Sequence, residues 1–361
     1  MTILFLSRLF YPHGGGVERH VLEVGKRLVE KGYKIIVVTE ELSKTHSFLY
    51  HSKAQSAKST GSVFGIHIVR HGFGGEDWFK KFRVWKWLWQ HRELIKNADI
   101  IHAHDVFFWY LPFRFLYPTK PVFTTFHGYE TKFPPAKKAI FVRKLSEKLS
   151  WGNICVGDYI KKWYGTKADF ITYGGVNLPK AQSAKLKVQS YNSKLKILFI
   201  GRLEQDIGIE IYIKALERLR NEKVNFEITF LGDGKYANQA SQYGDVTTRH
   251  YNDTYHYSEL LQKADVVFAS SYLSILSALA AKRLVFAVYD NALKQDYLQM
   301  APFAKWIIIE DSARKLAERI QYYRDHRKEA EKLIDGGYNW VREQTWEKVV
   351  GMYLKLWRLN S

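Results

Sequence analysis

The chain has 361 residues, of which 46% are hydrophobic and 25% charged, which is typical of a globular protein long enough for two domains. Its one cysteine, Cys155, excludes a disulfide framework and a cysteine-rich zinc site, and fits a reducing cytoplasm. The net charge is +19, and residues 1–180 hold 28 basic and 14 acidic residues, a net of +14. The N-terminal half should therefore attract phosphorylated molecules, anionic lipid headgroups or nucleic acid.

The chain begins with a short apolar run over 3–6 and a glycine-rich loop. An amphipathic helix over 17–31 and a β-branched run over 33–39, typical of a buried parallel strand, come next. The first run, with its neighbours, extends only from Thr2 to Ser7, which is too short for a secretory signal. No segment has the ~18 consecutive apolar residues of a membrane span. We expect a cytoplasmic protein, at most peripheral on the inner face of the membrane.

The loop YPHGGGVERH (11–20) joins the first predicted strand to the first predicted helix. Gly15 and Gly16 would let the backbone come close to a ligand, and the start of the helix offers unpaired N–H groups to an anion. This pattern favours a phosphate or sugar ligand. The alternative is a tight turn that binds nothing.

Residues 77–96 (DWFKKFRVWKWLWQHRELIK) predict an amphipathic helix that holds four of the eleven tryptophans. At 100° per residue, four aromatic side chains fall within about 60° of arc: Trp78, Phe82, Trp85 and Trp89. Basic residues lie around this stripe, which suits a helix lying on an anionic leaflet. The alternative is that the stripe packs on the first sheet, although Trp87 lies opposite it and a fully buried helix would not explain every tryptophan.

Two further predicted strands end in histidine. In HAHD (102–105), His102 and His104 share one strand face with a spacing found in metal sites, but no third ligand cluster is evident, so we expect no metal. The favoured interpretation is that His104 and Asp105 line a cleft. In FHGYE (126–130), His127 and Glu130 could each hydrogen-bond a sugar hydroxyl. The alternative is that His127 only satisfies a backbone group at the end of its strand.

The composition of residues 41–62 predicts a loop, and that of residues 179–194 predicts a linker between domains. After the linker, the alternation of strand and helix begins again, with a strand over 196–201 and a helix over 208–221. Both halves therefore predict doubly wound parallel sheets, whose ligands bind beyond the carboxyl ends of the strands. At such an end, Arg202 could contact a diphosphate with its fork of donors. The alternative is an ordinary surface arginine.

Seven motifs occur in the order seen in the family-four retaining glycosyltransferases, and the resemblance covers nearly the whole chain: GGGVERHV, HAHD, TFHGYE, ICVGDYIKKWY, ITYGGVN, FIGRL and LGDG. The resemblance implies the GT-B fold, an α/β architecture of two Rossmann-like doubly wound domains facing a central cleft. The domains would be an acceptor domain over 1–180, a nucleotide-sugar domain over 190–338, and a C-terminal helix over 339–361 that crosses back to the first domain.

The resemblance also assigns roles. His127 corresponds to the histidine that contacts the transferred sugar, and Arg202 to the arginine that binds the diphosphate; these two are the catalytic candidates. The candidates for donor binding follow the family's glycine loops and late motif: Gly15, Gly16, Glu130, Gly201, Asp206, Gly232 and Ser277. The substrates would be a nucleotide sugar and a lipid-linked or glycan acceptor. We expect no cofactor and no required metal, since no Asp-x-Asp pair stands at a strand end.

The sequence departs from the family at two charged positions. Ile207 stands where the family has a diphosphate-binding lysine, and Ser277 where it has a ribose-binding glutamate. Each lost contact would be worth on the order of 1.5–3 kcal/mol if buried. The chain is therefore a divergent enzyme, an enzyme with replacements such as Lys235, Arg249 or His250, or a non-catalytic scaffold. Nucleic-acid binding is disfavoured because no recognition motif appears.

Overall fold

The computed structural model describes residues 1–41, 60–128, 133–178, 194–247 and 254–359. They divide into two compact units, Met1–Thr172 with Trp346–Ser361, and Tyr173–Thr345. The predicted loop over 42–59 and most of the predicted linker, 179–193, lie outside the described residues.

The first unit contains a sheet whose described strands have the order β3-β4-β2-β1-β5-β6-β7-β8. These strands are β1 Thr2–Ser7, β2 Lys34–Glu40, β3 Thr60–Val63, β4 Ile66–His71, β5 Ile100–His104, β6 Val122–Phe126, β7 Gly152–Val156 and β8 Phe170–Thr172. All neighbouring pairs are parallel except β3 and β4. Strands β5, β6 and β7 are buried at every position, as expected of a parallel sheet covered by helices on both faces.

The helices of the first unit are α1 Gly16–Glu30, α2 Lys80–Gln90, α3 Glu93–Lys96, α4 Phe107–Leu116, α5 Lys137–Leu149, α6 Tyr159–Tyr164 and α14 Trp346–Leu356. The single helix predicted over 77–96 is two helices, because the backbone leaves helical geometry at His91 (φ −108°, ψ 28°). Among the described residues, no helix has the length and apolar character needed to cross a membrane.

The second unit contains a sheet with the order β11-β10-β9-β12-β13-β14, and all of its neighbouring pairs are parallel. Its strands are β9 Leu195–Ile200, β10 Phe226–Leu231, β11 Asp245–Thr247, β12 Val266–Phe268, β13 Leu284–Val288 and β14 Ile308–Glu310. Its α-helices are α7 Ile209–Asn221, α8 Ala237–Ala240, α9 Thr254–Lys263, α10 Tyr272–Ala280, α11 Ala292–Gln299, α12 Ala313–Asp325 and α13 Arg327–Val341. The predicted class, two doubly wound parallel α/β halves, is confirmed.

The boundaries of the units differ from the predicted domain limits at 180 and 339. The backbone N–H of Val176 donates to the carbonyl of Gln344 (2.8 Å), and Val176 forms an isolated parallel bridge with Thr345. This pairing places both segments in the second unit and separates α13 from α14. The closing helix predicted from 339 onward is therefore the end of α13 followed by a separate α14, which belongs to the first unit.

Candidate functional site

The glycine loop of the first unit leads from β1 into α1 as predicted. Gly15 is the residue before the helix, and a Cβ there would lie 1.9 Å from the carboxylate of Glu18, whereas a Cβ on Gly16 would meet nothing within 4 Å. A side chain at position 15 would displace the carboxylate of Glu18, which is buried and lies 3.1 Å from Nδ1 of His13. A carboxylate already faces this positive helix end, and contact of Gly15 and Gly16 with a donor stays a prediction.

Four buried histidines cluster at the carboxyl ends of β5 and β6. His102 and His104 lie on β5, His127 follows β6, and α1 brings His20 within 4.7 Å of His127, measured between ring centroids. Nδ1 of His104 lies 2.9 Å from Nε2 of His127. The sequence placed two of these histidines on one strand face, but it gave no sign that His20 joins them.

Helix α14 completes the cluster through Tyr353 and Trp357. The hydroxyl of Tyr353 lies 2.9 Å from both Nε2 of His20 and Oγ1 of Thr125, and that Thr125 oxygen lies 2.7 Å from Nε2 of His102. The indole N–H of Trp357 donates to Nδ1 of His102 (3.1 Å). These bonds form one continuous chain from Trp357 to His20.

The direction of this chain follows from the donors. An indole nitrogen can only donate, so Nδ1 of His102 accepts and a neutral His102 carries its proton on Nε2, toward Thr125. The arrangement that leaves no hydroxyl proton unpaired then has Thr125 donating to Tyr353, and Tyr353 donating to His20. The segment after residue 345 thus supplies a structural part of the cluster.

The histidines of the cluster are neutral near pH 7. Burial lowers the pKa of His127 to about 3, with the nearby charge of Arg143 as a second cause. Burial, and then the neighbouring imidazoles, hold the pKa of His20, His102 and His104 well below its ordinary value. Within the described part of the chain, no group of three or more His, Cys, Asp or Glu side chains is arranged to hold a metal ion.

Two further groups anchor the segment that holds His127. Its backbone N–H donates to Oδ1 of Asp105 (3.0 Å), and Arg143 donates to the carbonyl of Gly128 (3.0 Å). The Arg143 guanidinium lies over the ring of Tyr164, 4.4 Å from its centroid, which orients the fork. Arg143 was not predicted, because it lies within α5 and away from any strand end. Glu130, the other candidate of this segment, lies outside the described residues.

The second unit brings Gly201, Arg202, Asp206 and Gly232 together at the ends of β9 and β10, as predicted. A Cβ on Gly232 would lie 1.8 Å from the carbonyl oxygen of Gly201, so the two strand ends approach too closely for any side chain there. The Arg202 side chain is 52% exposed, and its guanidinium is paired with the carboxylate of Asp206. Arg202 is thus accessible to a ligand, and a diphosphate there would compete with Asp206 for the donors of Nη2.

The two departures from the family pattern are filled by uncharged structural residues. Ile207 is buried in the core of the second unit. Ser277 lies within α10 and donates to the carbonyl of Leu273 (2.7 Å), so its hydroxyl proton is used inside the helix. Neither position supplies the charge that the family pattern expects.

Lys294 is a cation of this region that the sequence did not reveal. It lies in the first turn of α11 and donates from Nζ to the carbonyl of Ser270 (2.6 Å). Burial lowers its pKa to about 8, while Asp206 raises the pKa and Arg202 lowers it. Lys294 is therefore within electrostatic range of Arg202. Of the replacements considered from the sequence, Lys235 is exposed, and 249 and 250 lie outside the described residues.

The aromatic helix α2 turns most of its predicted stripe outward. Trp78, Phe82 and Trp89 are 63%, 47% and 51% exposed. Trp85 is partly buried, and its indole N–H donates to the carbonyl of Phe108 on α4 (2.9 Å). The stripe therefore does not pack on the sheet: three of its side chains are exposed, and Trp85 contacts α4.

The opposite face of α2 forms its contact with the core. Val84, Trp87 and Leu88 are buried there, so burial does account for Trp87, contrary to the expectation from the sequence. On the outer face, Nζ of Lys81 lies 3.2 Å from the centroid of the Trp78 ring, and Nζ of Lys138 on α5 lies 5.3 Å from it. Basic groups thus lie directly on the exposed aromatic surface.

The exposed aromatic surface continues onto neighbouring helices. Helix α4 packs beside α2 through Phe108, and Arg114 of α4 donates to the carbonyl of Leu149 at the end of α5 (2.8 Å). The outward side chains of this region include Phe115, Phe141 and Trp151, which are 67%, 67% and 54% exposed. We call the exposed aromatic residues on and next to α2, α4 and α5, with the lysines beside them, the aromatic–basic face: Trp78, Phe82, Trp89, Phe115, Phe141 and Trp151.

Two family patterns match the chain in sequence. The pattern described as Glycosyltransferase Family 4 matches residues 14–170, and the pattern described as Glycosyl transferases group 1 matches residues 182–340. Between them they span the larger part of both units.

Individual relatives are more distant. The chain is 25% identical over 240 residues, 63% of its length, to the gpi3 subunit of the Schizosaccharomyces pombe phosphatidylinositol N-acetylglucosaminyltransferase. It is also 25% identical over 241 residues, 64% of its length, to the phosphatidyl-myo-inositol mannosyltransferase of Mycolicibacterium smegmatis. The matches cover 50% and 59% of these relatives, so the chain spans about half the length of the curated relatives it matches.

Among solved structures, a glycosyltransferase from Rickettsia africae ESF-5 superposes with a TM-score of 0.67 at 18% identity, over 100% of this chain and 99% of that one. At this identity the likeness shows the fold alone.

Proposed function

Since the chain belongs to the family-four glycosyltransferases with the GT-B fold, we propose that it transfers a sugar from a nucleoside diphosphate donor to a lipid-linked or cell-envelope glycan acceptor, with retention at the anomeric carbon. The transferase class predicted from the sequence agrees with this family. The observation that carries the proposal is the accessible Arg202 beside the closely packed glycine ends of β9 and β10.

In the proposed reaction, the bond between the anomeric carbon and a diphosphate oxygen breaks, and its electron pair leaves on the nucleoside diphosphate. An acceptor hydroxyl forms the new bond on the same face of the sugar, and its proton passes to the departing diphosphate. Arg202 would stabilise the charge that develops on this leaving group. Lys294 would add positive potential nearby, in partial replacement of the lysine lost at Ile207.

His127 would contact the transferred sugar. Its imidazole is buried, neutral and anchored at ring and backbone, so it can hydrogen-bond a hydroxyl without reorganising. The reaction needs no protein nucleophile in this scheme, and we propose that it needs neither a cofactor nor a metal ion.

We further propose that the acceptor is lipid-linked and that the aromatic–basic face lies on an anionic membrane surface, which would make the protein peripheral on the inner leaflet. Exposed tryptophans beside lysines suit the interface between headgroups and acyl chains. The net positive charge of residues 1–180 would also attract the protein to an anionic membrane surface. Both named relatives, by their names, act on phosphatidylinositol.

A non-catalytic scaffold is the second candidate function. It is favoured by the pairing of Arg202 with Asp206 and by the uncharged residues at Ile207 and Ser277. A scaffold of this kind would keep the fold but bind no nucleotide sugar at millimolar concentration.

A donor screen separates these functions. The purified chain is incubated with a panel of nucleotide sugars, with and without membrane extract, and products are detected by mass spectrometry. Donor binding is measured by isothermal titration. Arg202→Ala should reduce turnover at least tenfold, because a charge-assisted contact to a diphosphate contributes about 1.5–3 kcal/mol.

The matched control is Arg314→Ala. Arg314 is also exposed and also pairs with a carboxylate four residues later, Glu318, but it lies on α12. Equal turnover in the Arg202 and Arg314 variants would show that Arg202 does not contact the leaving diphosphate. An absence of binding by every nucleotide sugar would favour the scaffold.

A further inference from the structure

Within the part of the chain that the structure describes, one nitrogen of the His127 ring has a hydrogen-bond partner. Nε2 lies 2.9 Å from Nδ1 of His104, and no partner for Nδ1 of His127 is found among the described residues. Any group that hydrogen-bonds this imidazole from outside the cluster must therefore use Nδ1. Whether Nδ1 offers a proton or a lone pair decides what His127 can recognise.

The contact between the two rings holds a single proton. Both imidazoles are neutral, because burial keeps their pKa values far below 7. In one arrangement His104 donates from Nδ1, and His127 carries its own proton on Nδ1. In the other arrangement His127 donates from Nε2, and His104 carries its proton on its own Nε2.

The far side of His104 distinguishes the two arrangements. Its Nε2 is buried and has no hydrogen-bond partner within the described residues. The second arrangement would bury an N–H group there without an acceptor, whereas the first leaves only a lone pair. Among backbone groups, unpaired buried N–H groups are rarer than under-satisfied acceptors. The same preference applied to the imidazole of His104 favours the first arrangement.

We propose that His104 holds His127 in the tautomer that carries its proton on Nδ1, which makes His127 a hydrogen-bond donor to an oxygen of the bound ligand. His104 is thereby a positioning residue, since it acts only through His127. That the ligand oxygen belongs to a sugar hydroxyl rests on the proposed function. The tautomer itself rests only on the geometry of the first unit.

Asp105 supports the same orientation from the backbone side. It follows His104 directly, adopts a left-handed backbone conformation (φ 61°), and accepts the backbone N–H of His127 at 3.0 Å. Ring and main chain of His127 are thus held by two consecutive residues at the end of β5. The imidazole cannot turn its other nitrogen to the ligand without losing the bond to His104.

The test is the nitrogen NMR spectrum of the full chain, labelled with ¹⁵N-histidine and free of ligand. Long-range couplings distinguish a protonated from a bare ring nitrogen, and His127→Gln assigns the signals of His127. We expect a protonated Nδ1 and a bare Nε2 in the unaltered protein. In His104→Leu, which has no donor, His127 should become a mixture of both tautomers.

Two more variants make the comparison specific. His104→Asn keeps a donor near the position of Nδ1 and should retain mainly the Nδ1–H form of His127. His102→Asn removes another buried histidine of the same strand, one that bonds Thr125 rather than His127, and should leave the His127 tautomer unchanged.

A protonated Nε2 on His127 in the unaltered protein would overturn the proposal, even if every variant failed to fold. So would an unchanged His127 tautomer in His104→Leu, or an equal loss of the Nδ1–H form in His104→Leu and His104→Asn. Because the spectra need no donor or acceptor, their outcome is independent of the donor screen. A correct tautomer in a protein that binds no nucleotide sugar would leave this proposal standing and remove the proposed function.

Discussion

Replacing Tyr353 with phenylalanine removes one oxygen atom from the middle of the buried chain that runs from Trp357 to His20. The hydroxyl of Tyr353 serves two bonds of 2.9 Å, one to Thr125 and one to His20, and the side chain is fully buried. The substitution keeps the ring and therefore the packing of α14. What changes is that the proton of Thr125 and the lone pair of His20 lose their partner at once.

The expected cost follows from these two losses. Leaving a buried polar group unpaired costs about 1–3 kcal/mol, and one of the two groups can recover part of the loss by reorienting. We therefore expect Tyr353→Phe to lower the free energy of unfolding by about 2–4 kcal/mol. For a unit of this size, about 3 kcal/mol corresponds to a fall in Tm of roughly 6–12 °C.

Tyr110 provides a matched control. It is also fully buried in the first unit, but its hydroxyl has no hydrogen-bond partner within the ranges that the structure describes. Tyr110→Phe should therefore change the free energy of unfolding by less than about 0.5 kcal/mol, or stabilise the protein. Differential scanning calorimetry of the full chain measures both variants. Equal Tm shifts in Tyr353→Phe and Tyr110→Phe would refute the hydrogen-bonded chain.

Two other predictions concern the surface and the second unit. The double variant Trp78→Glu/Trp89→Glu should float at least about tenfold less than the parent with vesicles that contain anionic lipid, because two exposed aromatic side chains become charged. The control is Phe64→Glu: Phe64 is also exposed but lies outside the aromatic–basic face, so this variant should float like the parent. Equal flotation of the parent and the double variant would exclude the face as a membrane surface. Because burial lowers the pKa of Lys294 to about 8, the unfolded chain binds more protons than the folded one between pH 8 and about 10.4, and folding stability rises there with pH. The parent should therefore gain stability relative to Lys294→Met over that window, by at most about 1.4 kcal/mol per pH unit, in urea titrations at several pH values. A difference that stays constant with pH would show that folding does not lower the pKa of Lys294.

The positions of the strands were largely predictable, because buried parallel strands appear in a sequence as short apolar runs. The runs around Leu4, Ile36 and Phe199 coincide with β1, β2 and β9 to within one or two residues. The orientation of α2 was less accessible. Its stripe of tryptophans and the opposite Trp87 are equally apolar in sequence, and only the packing of Trp87 beside Val84 and Leu88 shows which face is inward.

The candidate site was predictable only where the signal is local. Gly201, Arg202 and Gly232 follow strands directly, and a close approach of strand ends requires glycine whatever the rest of the chain does. Lys294 was not predicted, because its position near Arg202 depends on interactions with Ser270 and Asp206, which lie on other elements.

The histidine cluster shows why the remainder could not be predicted from a single sequence. His20 and Tyr353 are separated by 333 residues, and His102 and Trp357 by 255, so no local pattern links them. Each of these side chains has an ordinary alternative role in its own helix or strand. Their function as a unit appears only when the parallel sheet brings α1, β5 and β6 side by side and α14 packs against them. A buried polar chain of this kind stabilises only when complete, since every missing partner leaves a costly unpaired group. The C-terminal helix therefore completes the buried chain that ends at His20, whose ring centroid lies 4.7 Å from that of His127.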